Sequence, residues 1–135
     1  MVVAEQWISD NIEFVFDYAL GFITTTNVIP TPKFHMTDAV GRVAVISCDF
    51  WADEDDEHDF DELGMLLDKH AEAFKAVASL LVFVGKIDGQ DVVGILTYGE
   101  RNPKLHYKHL IWAADILDFG PTVILPWNAV KNLDF

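Results

Sequence analysis

Between Asp53 and Glu62 the chain reads DEDDEHDFDE: eight carboxylates in ten residues, with no lysine or arginine. Carboxylates this dense repel one another. They favour whatever brings positive charge, either a metal ion or a basic surface on another macromolecule. Acids alternate at Asp53, Asp55, Glu57, Asp59 and Asp61, as in the first half of a calcium loop. That loop needs glycine at its sixth position and glutamate at its twelfth, where this chain has His58 and Gly64. A basic partner is therefore the better reading than calcium, and it makes Trp51, Asp53, Glu54, Asp55, Asp56, Glu57, Asp59 and Asp61 the candidate contact residues. Trp51 supplies the aromatic anchor that charged rims surround in interfaces. The plain alternative is a solvated loop. Asp59-Phe-Asp-Glu62 fits a capping box, and acids in a first helical turn are stabilised by about 0.3–1 kcal/mol each when exposed.

Two other constellations carry possible chemistry. Cys48-Asp49 closes an apolar run, with Asp53 just beyond; carboxylates at a strand end hold Mg²⁺ in phosphoryl-transfer enzymes. Neither GxxxxGK[ST] nor GxGxxG occurs to hold a phosphate, and a lone cysteine is more often a small buried hydrophobe than a nucleophile. His106 and His109 stand i, i+3 in a segment with helical spacing, a placement that gives two ligands one direction. No HExxH or Glu-x-x-His motif accompanies them. Asp49, His106 and His109 are thus the candidate metal ligands, against a packed-histidine reading in which His109 shares a face with Trp112 and Ile116. His70 reads as a core or boundary residue, His35 and His58 as exposed. Trp127 is a second candidate anchor or core-edge residue. The pattern implies no organic cofactor.

These residues sit in a chain of 135 residues, 51% hydrophobic and 23% charged, which is enough apolar material for one core. A single α+β domain over 1–135 is the expectation. Net charge is −13, and without the acidic run the rest carries 14 acids against 9 bases, a net of −5. Direct nucleic-acid binding is disfavoured, because it requires lysine and arginine to displace counterions. One cysteine, no signal-peptide pattern and no long apolar run point to a soluble cytoplasmic protein without membrane contact.

The elements follow from spacing and punctuation. Asp10 to Glu13 is a capping box ahead of Ile12, Val15, Ala19 and Leu20, with Gly21 as the stop; Trp7 and Ile8 allow a start near Glu5. Phe14, Phe16 and Tyr18 widen the apolar surface, so this helix is covered on more than one side or contacts a second chain. Phe22 to Ile29 reads as a strand, Phe34 to Met36 as a short edge strand, Asp38 to Gly41 as a turn and Arg42 to Phe50 as a central strand. A helix runs from about 60 to 79. Asp88-Gly89 then joins strands 80–87 and 91–98 in a hairpin. Asn102-Pro103 opens a third helix through Ile116, Gly120-Pro121 ends it, and Thr122 to Leu125 is a last strand.

The sum is about three helices packed, mainly from one face, on a mostly antiparallel sheet of about five strands. The function class expected is a non-enzymatic binding protein of inhibitor, immunity, anti-defence or chaperone type that meets a basic protein partner through the acidic segment. The alternatives are a metal-dependent hydrolase with dispersed Asp and His ligands, and a structural subunit or homodimer assembled through the first helix.

Overall fold

The computed structural model describes residues 1–28, 30–48, 60–99, 101–114, 116–126 and 133–134. They form helix α1 (Ala4–Thr26), strands β1 (Lys33–Asp38) and β2 (Val43–Ser47), helix α2 (Phe60–Phe74), then β3 (Ala76–Ile87), β4 (Gln90–Tyr98), β5 (Lys104–Ala113), β6 (Ile116–Phe119), β7 (Val123–Pro126) and β8 (Leu133–Asp134). The α+β class and the antiparallel sheet stand as expected. The strands run in the order β2-β1-β3-β4-β5-β6, with β7 also on β5 and β8 also on β3.

β6 and β7 lie along the same edge of β5. Leu110 pairs Phe119, while three residues earlier Tyr107 pairs Val123, four residues on. The extra residue is a bulge around Gly120-Pro121. Gly120 donates its N–H to the His109 carbonyl at 2.9 Å, and Pro121 has no N–H to leave unpaired there.

Side chains alternate across the sheet and define two cores. On one face Ala78, Leu80, Val82, Val93, Ile95 and Leu117 receive Ile8, Ile12, Val15, Phe16, Ala19 and Ile23 of α1. On the other, Phe34, Met36, Leu81, Phe83, Val92, Leu96 and Leu105 gather with Cys48 and with Leu67 of α2. The helices therefore lie on opposite faces, not on one. A strand as apolar as β3 is explained by this, since both of its faces are buried. Gly94 is where Phe83 crosses its neighbouring strand: a Cβ there would stand 2.4 Å from the ring.

Several expected elements change identity. Phe22 to Thr26 continues α1 rather than forming a strand. Ile23 extends the buried stripe, and the Thr24 and Thr26 hydroxyls donate to the carbonyls of Leu20 and Phe22, which absorbs the preference of these residues for other conformations. Gly21 lies inside the helix, and Asn27, left-handed at φ 55°, closes it by donating its N–H to the Ile23 carbonyl. Asp10 is interior as well, because burial of Ile8 draws the preceding turns into the helix. α2 gives way to strand β3 at Ala76. Phe34 to Met36 is not an edge: β1 pairs with both β2 and β3. β2, expected in the centre, is the outermost strand, and only its alternate residues Ala44 and Ile46 are even half-buried.

The third helix is strand β5, held between β4 on one side and β6 and β7 on the other. Its alternation is legible in retrospect: Leu105, Tyr107 and His109 face one way and His106, Lys108 and Leu110 the other. No helix among the described residues is long and apolar enough to cross a membrane.

Candidate functional site

Of the acidic contact residues expected from the sequence, Trp51, Asp53, Glu54, Asp55, Asp56, Glu57 and Asp59 lie outside the described residues, as do Asp49, His58 and Trp127. Asp61 falls in the first turn of α2, which begins at Phe60, one residue after the expected cap.

The paired metal ligands do not survive the change of β5 from helix to strand. His106 and His109 are three residues apart, so in a strand they project from opposite faces of the sheet. His106 stands opposite Ile95 on the α1 side. His109 packs edge-on to Tyr107 at 5.6 Å between ring centroids on the other. Two donors separated by a sheet cannot share one ion. Among the described residues no three His, Cys, Asp or Glu side chains converge as a metal site. Cys48 is buried, and its backbone N–H donates to the Pro32 carbonyl at 2.8 Å.

The structure instead brings together residues that were not singled out. α1 lies against β3, β4 and β6, and the β1–β2 hairpin extends beyond it. Between them runs a groove of about 410 Å³, within the size range of ligand sites. Its wall is Trp7, Asn11, Phe14, Val15 and Tyr18 of α1. Its floor is Lys33 and His35 of β1 with Val43 and Val45 of β2. The floor residues share one face because His35 pairs across the ladder with Val45, and Thr37 with Val43. A neighbouring depression beside Tyr18, Phe22 and Val82 encloses only about 10 Å³, room for one water.

Much of the groove's apolar surface is open. Phe14 is 66% exposed, Val43 60%, Val45 53% and Tyr18 50%. Phe16, grouped with Phe14 and Tyr18 as a widening of the helix's apolar surface, is fully buried, because it belongs to the stripe that meets the sheet. At one end the Lys33 ammonium lies 5.6 Å from the ring centroids of both Tyr18 and Phe22, a cation–π placement.

His35 is the unusual polar group of the floor. It was expected exposed, yet its Nε2 is buried and has no hydrogen-bond partner among the described residues. Burial first, and the Lys33 charge second, hold its pKa below the ordinary histidine value. The imidazole is therefore neutral at neutral pH and presents a hydrogen-bonding group rather than a charge. Asn11 donates its amide to the Trp7 carbonyl at 2.7 Å, which leaves its side-chain oxygen as an acceptor. His70, expected on an apolar face, is exposed on α2.

The two flanks of α1 differ. Toward β5, the Lys108 ammonium sits 4.8 Å from the Phe16 centroid and 5.4 Å from that of Phe119, and it donates to Glu13 at 3.0 Å. That side is closed by contacts within the chain. Asp10 and Asp17 are exposed on the solvent side of the same helix, four and three residues from Phe14, and neither lines the groove. Asp10 accepts from Gln6.

The edge of β2 completes the picture. Beyond β1 it pairs with no strand among the described residues. Val43-Ala-Val-Ile-Ser47 carries none of the charges or prolines that usually blunt an edge.

A sequence signal for this groove exists. Trp7, Asn11, Phe14 and Tyr18 recur at 4-3-4 spacing beside the buried stripe. The excess of aromatics in this helix is visible in the sequence, but which of them lie in the core is not.

Compared with protein-family models, with curated proteins and with solved structures, the chain matches none.

Proposed function

We propose that this chain is a non-enzymatic binding protein, of inhibitor, immunity, anti-defence or chaperone type, whose partner is a protein with a basic surface. The observation that carries the reading is the open groove beside α1. Its lining is mostly aromatic and aliphatic, with Asn11, Lys33 and His35 as its polar groups; Asp10 and Asp17 are exposed elsewhere on α1, and among the described residues no cluster of metal-binding side chains is found. Apolar surface of this kind, edged by polar groups, marks protein contact sites. The run from Asp53 to Glu62 adds eight negative charges to the same chain, and a basic partner relieves their mutual repulsion.

The experiment is affinity capture of the partner at low and high salt, with Asp55, Asp56 and Glu57 replaced by Asn or Gln. Exposed charge pairs contribute about 0.5 kcal/mol each, so losing three weakens binding roughly tenfold. High salt produces a loss of the same sign in the unaltered protein. Affinity indifferent to both changes refutes the reading.

A second reading is a subunit of a homo-oligomer. Exposed Phe14 and Tyr18 next to the unblunted edge of β2 favour it. Light scattering decides, since a strict monomer at high concentration removes it.

A further inference from the structure

We infer that the groove beside α1 is a small-molecule site for a flat aromatic monocarboxylic acid, with its rings against the α1 wall, its carboxylate at the Lys33 ammonium and a hydroxyl at Asn11. This rests on reading the groove as a binding surface and adds a small ligand that occupies it.

Four observations carry it. First, the charge of the lining is positive and sits at one end. Lys33 is the only charged residue that lines the groove. Its ammonium lies at the Tyr18 end, 5.6 Å from the ring centroids of Tyr18 and Phe22, and no carboxylate pairs with it among the described residues. His35, two residues along β1, is neutral at neutral pH, so it adds no second charge. A carboxylate is the acceptor that bonds such an ammonium best. Second, wall and floor both offer uncovered apolar surface. Phe14, Tyr18, Val43 and Val45 are each at least half exposed, and a flat ring system laid among them covers both sides and stacks on the aromatic ones. Third, the polar groups set a length. Asn11 and Tyr18 stand seven residues apart on α1, about 10 Å of helix, which a two-ring acid spans. The Asn11 amide is committed to the Trp7 carbonyl, while its oxygen is left to accept from a ligand hydroxyl. Fourth, scale and net charge select a small monoanion. About 410 Å³ lies within the range of small-molecule sites. A chain of net charge −13 repels an acidic protein or a polyanion over its whole surface; a single carboxylate meets Lys33 with the least of that repulsion.

The probe is a hydroxynaphthoate whose hydroxyl and carboxylate stand at opposite ends. It is compared with naphthoate, which lacks the hydroxyl, and with the hydroxynaphthamide, which lacks the charge. Titration into the full chain, followed by amide NMR, should saturate and should shift Tyr18, His35, Val43 and Val45. The amide is expected to bind about fivefold more weakly than the acid, and that difference should vanish in Lys33→Gln. The hydroxyl is expected to contribute about threefold, and that gain should vanish in Asn11→Ala. Val45→Glu should weaken the acid about tenfold. Val45 lies outside both cores, and thermal melting of each variant separates lost binding from lost folding. Amide binding retained by Lys33→Gln shows in addition that its groove is intact.

The inference is overturned if the acid fails to saturate or shifts residues away from the groove, if acid and amide bind alike, or if their difference survives Lys33→Gln. It is also overturned if light scattering finds a dimer that Val45→Glu dissociates, which makes a second copy the occupant. Neutralising Asp55, Asp56 and Glu57 tests the protein partner separately. A partner lost on neutralisation, with no acid held in the groove, ends this inference and leaves the protein reading standing. Acid held in the groove, with a partner indifferent to salt and to neutralisation, supports this inference and ends the other.

Discussion

Gly94 lies on β4 beneath the ring of Phe83, and a methyl group there cannot be accommodated without moving the ring. The added Cβ would stand 2.4, 2.8 and 3.0 Å from three ring carbons. Carbon atoms in contact sit at about 3.5–4.0 Å, so the ring must retreat by about 1 Å. Phe83 is 1% exposed and packs in the core formed by Phe34, Leu81, Val92, Leu96 and Leu105, where little free volume exists. Overpacking of this kind costs about 1–3 kcal/mol. Alanine in place of a strand glycine returns about 0.5–1 kcal/mol through the unfolded chain. Gly94→Ala is therefore expected to destabilise by about 1–2 kcal/mol, and at about 4 °C per kcal/mol for a chain of this size the midpoint falls by about 4–8 °C. Thermal and urea unfolding followed by circular dichroism measure it. Phe83→Leu alone opens a cavity and costs stability of its own. In the double variant the new methyl group occupies part of that space, so the two changes should couple favourably by about 1 kcal/mol. A Gly94→Ala protein that melts within a degree of the unaltered chain, or a double variant that is simply additive, refutes the packing argument.

Two further expectations concern pH. The lowered pKa of His35 means the unfolded chain takes up its proton before the folded one does. Stability is unaffected well above pH 6.5, declines as pH falls below it, and levels off beneath the folded value. Subtracting the profile of His35→Leu isolates this slope, and a flat difference from pH 8 to pH 5 contradicts it. Asp38 behaves in the opposite direction. Its burial works to raise the pKa, but hydrogen bonds from the Arg42 side chain and from the N–H groups of Arg42 and Val40 outweigh it and hold the value below normal. The stability it contributes is present above about pH 4 and lost as pH falls through the folded value. Asp38→Asn should thus lower the midpoint at pH 7 and approach the unaltered protein under acid; an equal gap at both pH values rejects this account of the turn.

The sequence by itself determined the class of the fold and much of its punctuation. The apolar run from Leu80 to Ile87 marked a strand, while its burial on both faces came from the placement of α1 and α2 on opposite sides of the sheet. Asp88-Gly89 could only reverse the chain, and both residues take the positive φ that such a turn requires. The charge balance and the location of most of the acids were equally fixed by composition.

What tertiary structure decided were the choices between two periods that the same residues satisfy. The run from Leu105 to Ile116 fits both 3.6 and 2, and strand partners on both sides of β5 settled it. The threonines after Gly21 favour a strand locally, yet burying Ile23 and bonding two hydroxyls to the preceding turn held them in α1. These two choices also fixed the site. Making β5 a strand drove His106 and His109 to opposite faces and dissolved the metal pair. Placing β2 at the edge rather than in the centre left Val43 and Val45 uncovered beside Phe14 and Tyr18. Local sequence records how a residue prefers to bend. Which face it turns to, and what stands opposite, depends on pairing between segments far apart in the chain, and a single linear pattern does not contain that.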